Sequence, residues 1–342
     1  MTNAIVVADE RRRLLRRMAQ AGLLLTVLIV VLSAYVRHRG VGLGCEDWPA
    51  CYGQDLSLVQ QGQAVATDGD VLLARVVHRV VATVMLVLVI AMVFSSLARP
   101  RLRREGTLAS GLLALALALA VLGVVTPGSR LPAVALGNLL GGFAMLALCA
   151  RLVAVTGEPR PRDVLLMRMA ILVAILLVLE IALGALVSAV HAGLSCRSLA
   201  ECTALTASGG WNFSGLDPWQ LPSPGVLGLA SEAAGAPVQW AHRIGGVVAT
   251  AAVLVLGLLA WQGGQRRTAV TLVGLLLGVM ALGFFIGEGD LPLPAVLLHN
   301  LGSAGLLAMV AVTGFEAATS TFRISRASVP RRSRLFGKPP EV

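Results

Sequence analysis

Three histidines stand inside long apolar runs: His78 in "RVVHRVVAT", His242 in "QWAHRIGG" and His299 in "PAVLLHNLG". An ionisable side chain is costly in such surroundings, and inside a membrane span it is by default a functional candidate. A neutral imidazole is a standard ligand of heme iron. A histidine satisfied by a neighbouring helix is the bland alternative, and it explains one such residue better than a related set. His242 and His299 form the strongest pair, because each lies one or two turns from the same end of its helix and both can face a shared axis. That geometry suits two axial imidazoles on one iron. Arg79 follows His78 and Arg243 follows His242. A guanidinium in that place either pairs with a carboxylate, such as a heme propionate, or reaches to the interface as an anchor.

The cysteines come as two pairs with five residues between partners, Cys45 and Cys51 in "GLGCEDWPACYG" and Cys196 and Cys202 in "GLSCRSLAEC". Neither pair has a further cysteine or histidine at ligand spacing, and no C-x-x-C-H motif is present. Disulfides, structural or redox-switchable, are therefore favoured over a metal site. Cys149, alone in an apolar run, reads as a small packing residue. Glu180 in "LVLEIALG" reads as an unpaired carboxylate within a span, a protonated structural acid rather than a proton relay. His191, before the second cysteine pair, reads as an interfacial residue able to bond a propionate, and His38 in "VRHRG" as a surface residue. Trp48, Trp211, Trp219 and Trp240 fall where an aromatic interface belt is expected.

The elements that carry these residues follow from composition. With 56% hydrophobic and only 13% charged residues, the chain is too apolar for a water-soluble globule. Runs long enough to cross the ~30 Å hydrocarbon core recur at roughly 18–36, 71–97, 107–126, 131–155, 166–190, 236–261, 268–287 and 292–318. No run alternates with period 2, which excludes a β-barrel. Dense Gly and Ala allow close helix packing. The net charge of +10 sits in clusters, "RRRLLRR", "RPRLRR", "EPRPR", "RR" and the tail "SVPRRSRLFGK", all on one side of an eight-span arrangement. That is the positive-inside pattern: both termini are expected in the cytoplasm, the cysteine loops outside, and nucleic-acid binding is not needed to explain the charge. The first run is too long for a cleaved signal and lacks a small-residue cleavage site, so it is kept as a span.

The chain also repeats itself. "GLGCEDWPAC" answers "GLSCRSLAEC", "HRVVAT" answers "HRIGGVVAT", and "LPAVALGN" answers "LPAVLLHN", in the same order. The expected fold is all-α and integral to the membrane, with eight transmembrane helices in two pseudo-twofold related four-helix bundles. Residues 1–165 form the first half with outer loop 38–70. Residues 166–342 form the second, with outer loop 191–235 and basic tail 319–342. "VTGEPRPRD" is the linker.

At these residues the sequence resembles the heme A synthase family, membrane proteins that convert heme o to heme a for cytochrome oxidase. The likeness covers nearly the whole length and rests on "GLGCEDWPACYG", "QWAHR" and "LPLPAVLLHN". It implies a bacterial-type cytoplasmic membrane protein with eight spans. It also implies heme b bound by His242 and His299, heme o bound near His78, and a Cys45–Cys51 bridge supporting a loop over the first-half site. The implied reaction oxidises the C8 methyl of heme o to a formyl by successive hydroxylations, with water leaving a geminal diol. Implied partners are heme o synthase, oxidase assembly factors and membrane lipid, with self-association left open.

Two positions depart from the family pattern. Arg75 stands where a glutamate is expected one turn before His78, and Gly137 stands opposite His299, with Asn138 opposite Asn300. Arg75 could anchor a propionate or stabilise a negative intermediate. Asn138 could bind the porphyrin edge or a water, though it is a poor iron ligand. A heme carrier in oxidase assembly and a b-type electron-transfer subunit are the rival functions.

Overall fold

A computed structural model describes residues 2–41, 69–126, 131–157, 163–221, 232–288 and 291–314. Among these residues there are helices and turns and no strand. Eight helices are long and apolar enough to cross a membrane. They are α1 (Thr2–Val41), α2 (Gly69–Leu97), α3 (Arg103–Val125), α4 (Pro132–Val155), α5 (Val164–Ala189), α7 (Glu232–Gln262), α8 (Arg266–Glu288) and α9 (Leu293–Val312). A short helix, α6 (Leu199–Ser208), and a 3-10 turn at Ser214–Leu216 lie between α5 and α7.

Local chemistry sets the helix ends. The Asp163 carboxylate accepts the Leu166 N–H at 2.9 Å and caps α5. Ser198 caps α6 through the Glu201 N–H at 3.1 Å, while Glu201 reaches back to the Arg197 N–H at 2.7 Å, a reciprocal arrangement that satisfies two orphan donors. Proline in the first turn of α4 and of α9 occupies a position whose missing N–H costs nothing. Helix α1 begins far before the expected 18–36 span, because its basic first turns are tied down. Arg12 Nε lies 2.9 Å from Glu105 on α3, and Arg11 donates to the backbone carbonyls of Ser95 and Pro100. Helix α9 ends at Val312, short of the expected 318, with Gly314 at φ 75 just beyond it. That left-handed conformation suits glycine and ends the helix.

The helices form two rings of four. In the first ring α1 packs on α2 and α4, and α3 packs on α2 and α4; in the second, α5 packs on α7 and α9, and α8 packs on α7 and α9. The diagonal pairs, α2 with α4 and α7 with α9, make no sustained contact. Each ring thus has a central axis across which these helices make no sustained backbone contact. Helix α4 packs against α9 and α5, and α1 against α9, which joins the rings.

A continuous apolar core runs from Phe143 and Leu146 on α4 through Val173, Val253, Leu272 and Leu307. A second core, around Leu15, Met92, Leu112 and Cys149, belongs to the first ring. Cys149 packs as the sequence predicts: it is fully buried, and a Cβ added at Gly22 would stand 3.2 Å from its Sγ. Large apolar side chains such as Phe94, Val124 and Phe284 point outward, each more than 70% exposed. An apolar outer shell of this kind suits lipid rather than water.

Hydrogen bonds stitch the rings together. Arg151 on α4 donates to the Ala311 carbonyl at 3.1 Å. His38 Nε2 lies 3.1 Å from the Leu291 carbonyl, and the Ala133 N–H donates to the Pro218 carbonyl at 2.8 Å. His38 is thus a half-buried bridge between rings and not the surface residue read from its arginine neighbours. Its burial comes from the α8–α9 turn of the other ring, which no local pattern announces.

Candidate functional site

All three histidines lie within about the first three turns of their helices, His78 on α2, His242 on α7 and His299 on α9. In the second ring His242 and His299 come from the diagonal pair of helices, on opposite sides of the ring axis. They are close enough to interact electrostatically.

Each ring is seated on a glycine of a neighbouring helix. A Cβ at Gly283 of α8 would stand 3.2 Å from His299 Cε1, and one at Gly184 of α5 would stand 3.0 Å from His242 Cε1. A larger residue at either place would push the imidazole away. His299 Nδ1 lies 3.0 Å from the Val279 carbonyl. A carbonyl can only accept, so Nδ1 carries the proton and Nε2 keeps its lone pair for a ligand. His242 Nδ1 lies 2.7 Å from Glu180 Oε1, with the ring N–H off the line of the oxygen, so the pair is a close polar contact rather than an aligned hydrogen bond. Glu180 is therefore not the unpaired carboxylate read from its apolar run. Its partner comes from another helix, 62 residues further along the chain (242 minus 180).

Above the second ring the disulfide loop is built into a cap. Cys196 and Cys202 are joined, with Cα atoms 5.2 Å apart, and both are buried with Ala236. Arg243 donates to the carbonyls of Cys196 and Arg197 at 3.3 and 2.9 Å, and Gln239 donates to the Gly193 carbonyl at 3.1 Å. Trp211, Phe213 and Trp240 form one aromatic group, with Trp211 edge-on to Trp240 at 5.5 Å between centroids. Trp211 and Trp240 therefore pack against each other in the cap, whereas Trp219 is 73% exposed as a belt residue would be. His191 is half-buried at φ 60, in the turn that ends α5 and starts this loop.

The first ring is built differently. His78 is half-buried, and Arg75 and Arg79 are exposed. Asn138 is exposed, and its amide donates to the Val134 carbonyl of its own helix at 3.1 Å. At Gly137, the position matching His299, a Cβ would stand 3.0 Å from Leu122 of α3. Leucine thus crowds the place an imidazole would leave from. Arg37 on α1, which the sequence reading passes over, lies within electrostatic reach of His78. Its side chain is half-buried and donates to Ser33 Oγ at 3.1 Å. Cys45, Cys51 and Trp48 lie outside the described residues. No group of three or more His, Cys, Asp or Glu converges among the described residues.

The model of COX15-CtaA, cytochrome oxidase assembly protein, matches residues 16–311, which takes in every spanning helix. The chain belongs to the COX15-CtaA family. A Heme A synthase from Shewanella oneidensis is 31% identical to this COX15-CtaA member over 317 residues, covering 85% of this chain and 92% of the relative. A signal that sequence reading could have used is His-x-x-Gly. Gly245 and Gly302 each follow a second-ring histidine by three residues, while Val81 follows His78. Both glycines face a neighbouring helix closely, Gly245 at Glu180 and Leu183 and Gly302 at Val279.

Proposed function

We propose that this COX15-CtaA member is a heme A synthase, an oxidoreductase that converts the C8 methyl of heme o to the formyl of heme a for cytochrome oxidase. The observation that carries the reading is the pair of imidazoles on diagonal helices of one ring, seated on Gly184 and Gly283. Two nitrogen donors from diagonal helices of one ring, with no third ligating group converging among the described residues, fit a heme iron better than a bare metal ion. His242 and His299 are the residues that would hold heme b. When bound, the tetrapyrroles supply the electron-transfer and oxidation chemistry, and the chain supplies ligation, orientation and exclusion of water.

The roles of the remaining residues follow from their surroundings. Val279 holds His299 in one tautomer. The cap of Arg243, Gln239, Trp211, Phe213 and Trp240 shields the second ring, and Arg243 at its base is placed to meet a propionate as well as the loop. In the first ring His78 meets the substrate heme, with Asn138 at the porphyrin edge and Arg79 toward a propionate. We assign the main anionic contact there to Arg37 in preference to Arg75, since Arg37 is half-buried beside His78 whereas Arg75 is exposed. A Cys45–Cys51 bridge over this ring completes the reading.

The arginine clusters support a reading in which both termini lie in the cytoplasm of an inner-membrane protein. The matching neighbour pattern of the two rings supports a pseudo-twofold relation between residues 1–165 and 166–342. Heme o synthase and oxidase assembly factors are the partners this role requires. A second reading, a heme carrier without turnover, is favoured by the glycine at 137, which leaves the first ring without a counterpart to His299.

Expression in a membrane that makes heme o and no heme a separates the readings. Heme a in the extracted pigment, lost in His242→Ala, supports the synthase. Bound heme o without conversion supports the carrier, and heme b alone with rapid quinol-dependent reduction supports an electron-transfer subunit.

A further inference from the structure

Glu180 is the one acidic side chain in the described middle of α5, and its side chain is only 14% exposed. Carboxylates at such depth are retained where they have a partner. Its two oxygens are treated differently. Oε1 lies 2.7 Å from His242 Nδ1, and Oε2 has no hydrogen-bond partner among the described residues. The slot that holds the pair is made by glycines on both helices. A Cβ at Gly245 would collide with Oε2, one at Gly246 would stand 3.4 Å from Oε1, and Gly184, one turn along α5 from Glu180, supports the ring. Three positions are thus kept free of side chains so that one carboxylate can reach one imidazole nitrogen.

We propose that Glu180 is a positioning residue for His242, holding its Nδ1 side so that Nε2 is left for a ligand, and that it makes His242 a stronger donor than His299. The inference rests on the heme-binding reading above. A carboxylate behind a ligating histidine fixes the tautomer and ring orientation and raises ligand basicity. His299, by contrast, leans on a neutral peptide carbonyl. The two histidines would therefore be unequal donors to a bound heme, and the more basic one would favour ferric over ferrous iron by stabilising the higher charge.

The test uses the full-length protein purified with its heme, comparing wild type, Glu180→Gln and Gly245→Ala. The glutamine keeps size and removes charge, whereas the alanine methyl drives the carboxylate out of the slot without changing its chemistry. Heme content, the low-spin absorption and paramagnetic resonance spectra and the midpoint potential are read for each. We expect Glu180→Gln to keep six-coordinate heme while the ferrous-to-ferric ratio at fixed poise rises about tenfold, a shift of about 59 mV for one electron. Gly245→Ala moves the potential in the same direction. An unchanged midpoint potential in a heme-loaded Glu180→Gln protein overturns the proposal. If that variant does not load heme, an unchanged potential in Gly245→Ala overturns it and a raised one supports it. A wild type that binds no heme sinks the functional reading itself, an outcome distinct from either.

Discussion

The most instructive contrast at the residue scale is between cations in the first ring. Arg75 sits where the family pattern has a glutamate, yet it is exposed. Arg37, one residue before His38 in "VRHRG", is half-buried with a serine hydroxyl as its hydrogen-bond acceptor and His78 within electrostatic reach. A guanidinium in that setting is stabilised by an anionic ligand, and a hydrogen bond to a charged group contributes about 1.5–3 kcal/mol. Arg37→Leu should therefore weaken heme o retention by tenfold or more, with heme b content unchanged, whereas Arg75→Leu should change it by less than threefold. Binding titrations of heme o to the two purified variants decide this, and a larger loss at Arg75 reverses the assignment. At Gly137 a side chain would meet the Cδ2 methyl of Leu122, which would have to give way before a second histidine could be placed there.

Among the elements, α1 does more than cross the membrane. Its early turns hold the arginine-rich end of the first ring through Arg11 and Arg12, and its far end reaches the second ring through His38. The Arg12–Glu105 pair is asymmetric, since Glu105 is 2% exposed and Arg12 remains partly open. Removing the arginine leaves a buried carboxylate without its partner, which costs more than the pair itself contributes. Arg12→Ala should lower unfolding stability by about 1–3 kcal/mol, read as a reduced thermal midpoint in detergent, and Glu105→Gln in the same background should recover part of it. No recovery would mean that Arg12 acts through its bond network elsewhere on α1.

For the whole molecule, the sidedness of the bundle is the claim with most consequences, because it decides which compartment the cap and its disulfide face. The cap end carries Ser208, and the opposite end carries Arg267 in the first turn of α8. In intact cells a membrane-impermeant thiol reagent should label Ser208→Cys at once and Arg267→Cys only after permeabilisation, each measured against the parent chain. The reverse pattern would invert the topology. It would also remove the oxidising environment in which the Cys196–Cys202 bridge is expected to persist.

The sequence alone determined the spans, because hydropathy over about 20 residues is a property of the local chain and the bilayer has a fixed thickness. It also determined which side chains were anomalous, since an imidazole or carboxylate in an apolar run is costly wherever the helix lies. His78, Glu180, His242 and His299 were all visible in this way. The partners were not visible, because contacts between helices depend on which faces meet, and residue 180 carries no mark of residue 242. The pairing of Glu180 with His242, the seating of both rings on Gly184 and Gly283, Arg37 beside His78, Leu122 against Gly137 and His38 across to Leu291 were decided only when the helices closed into rings.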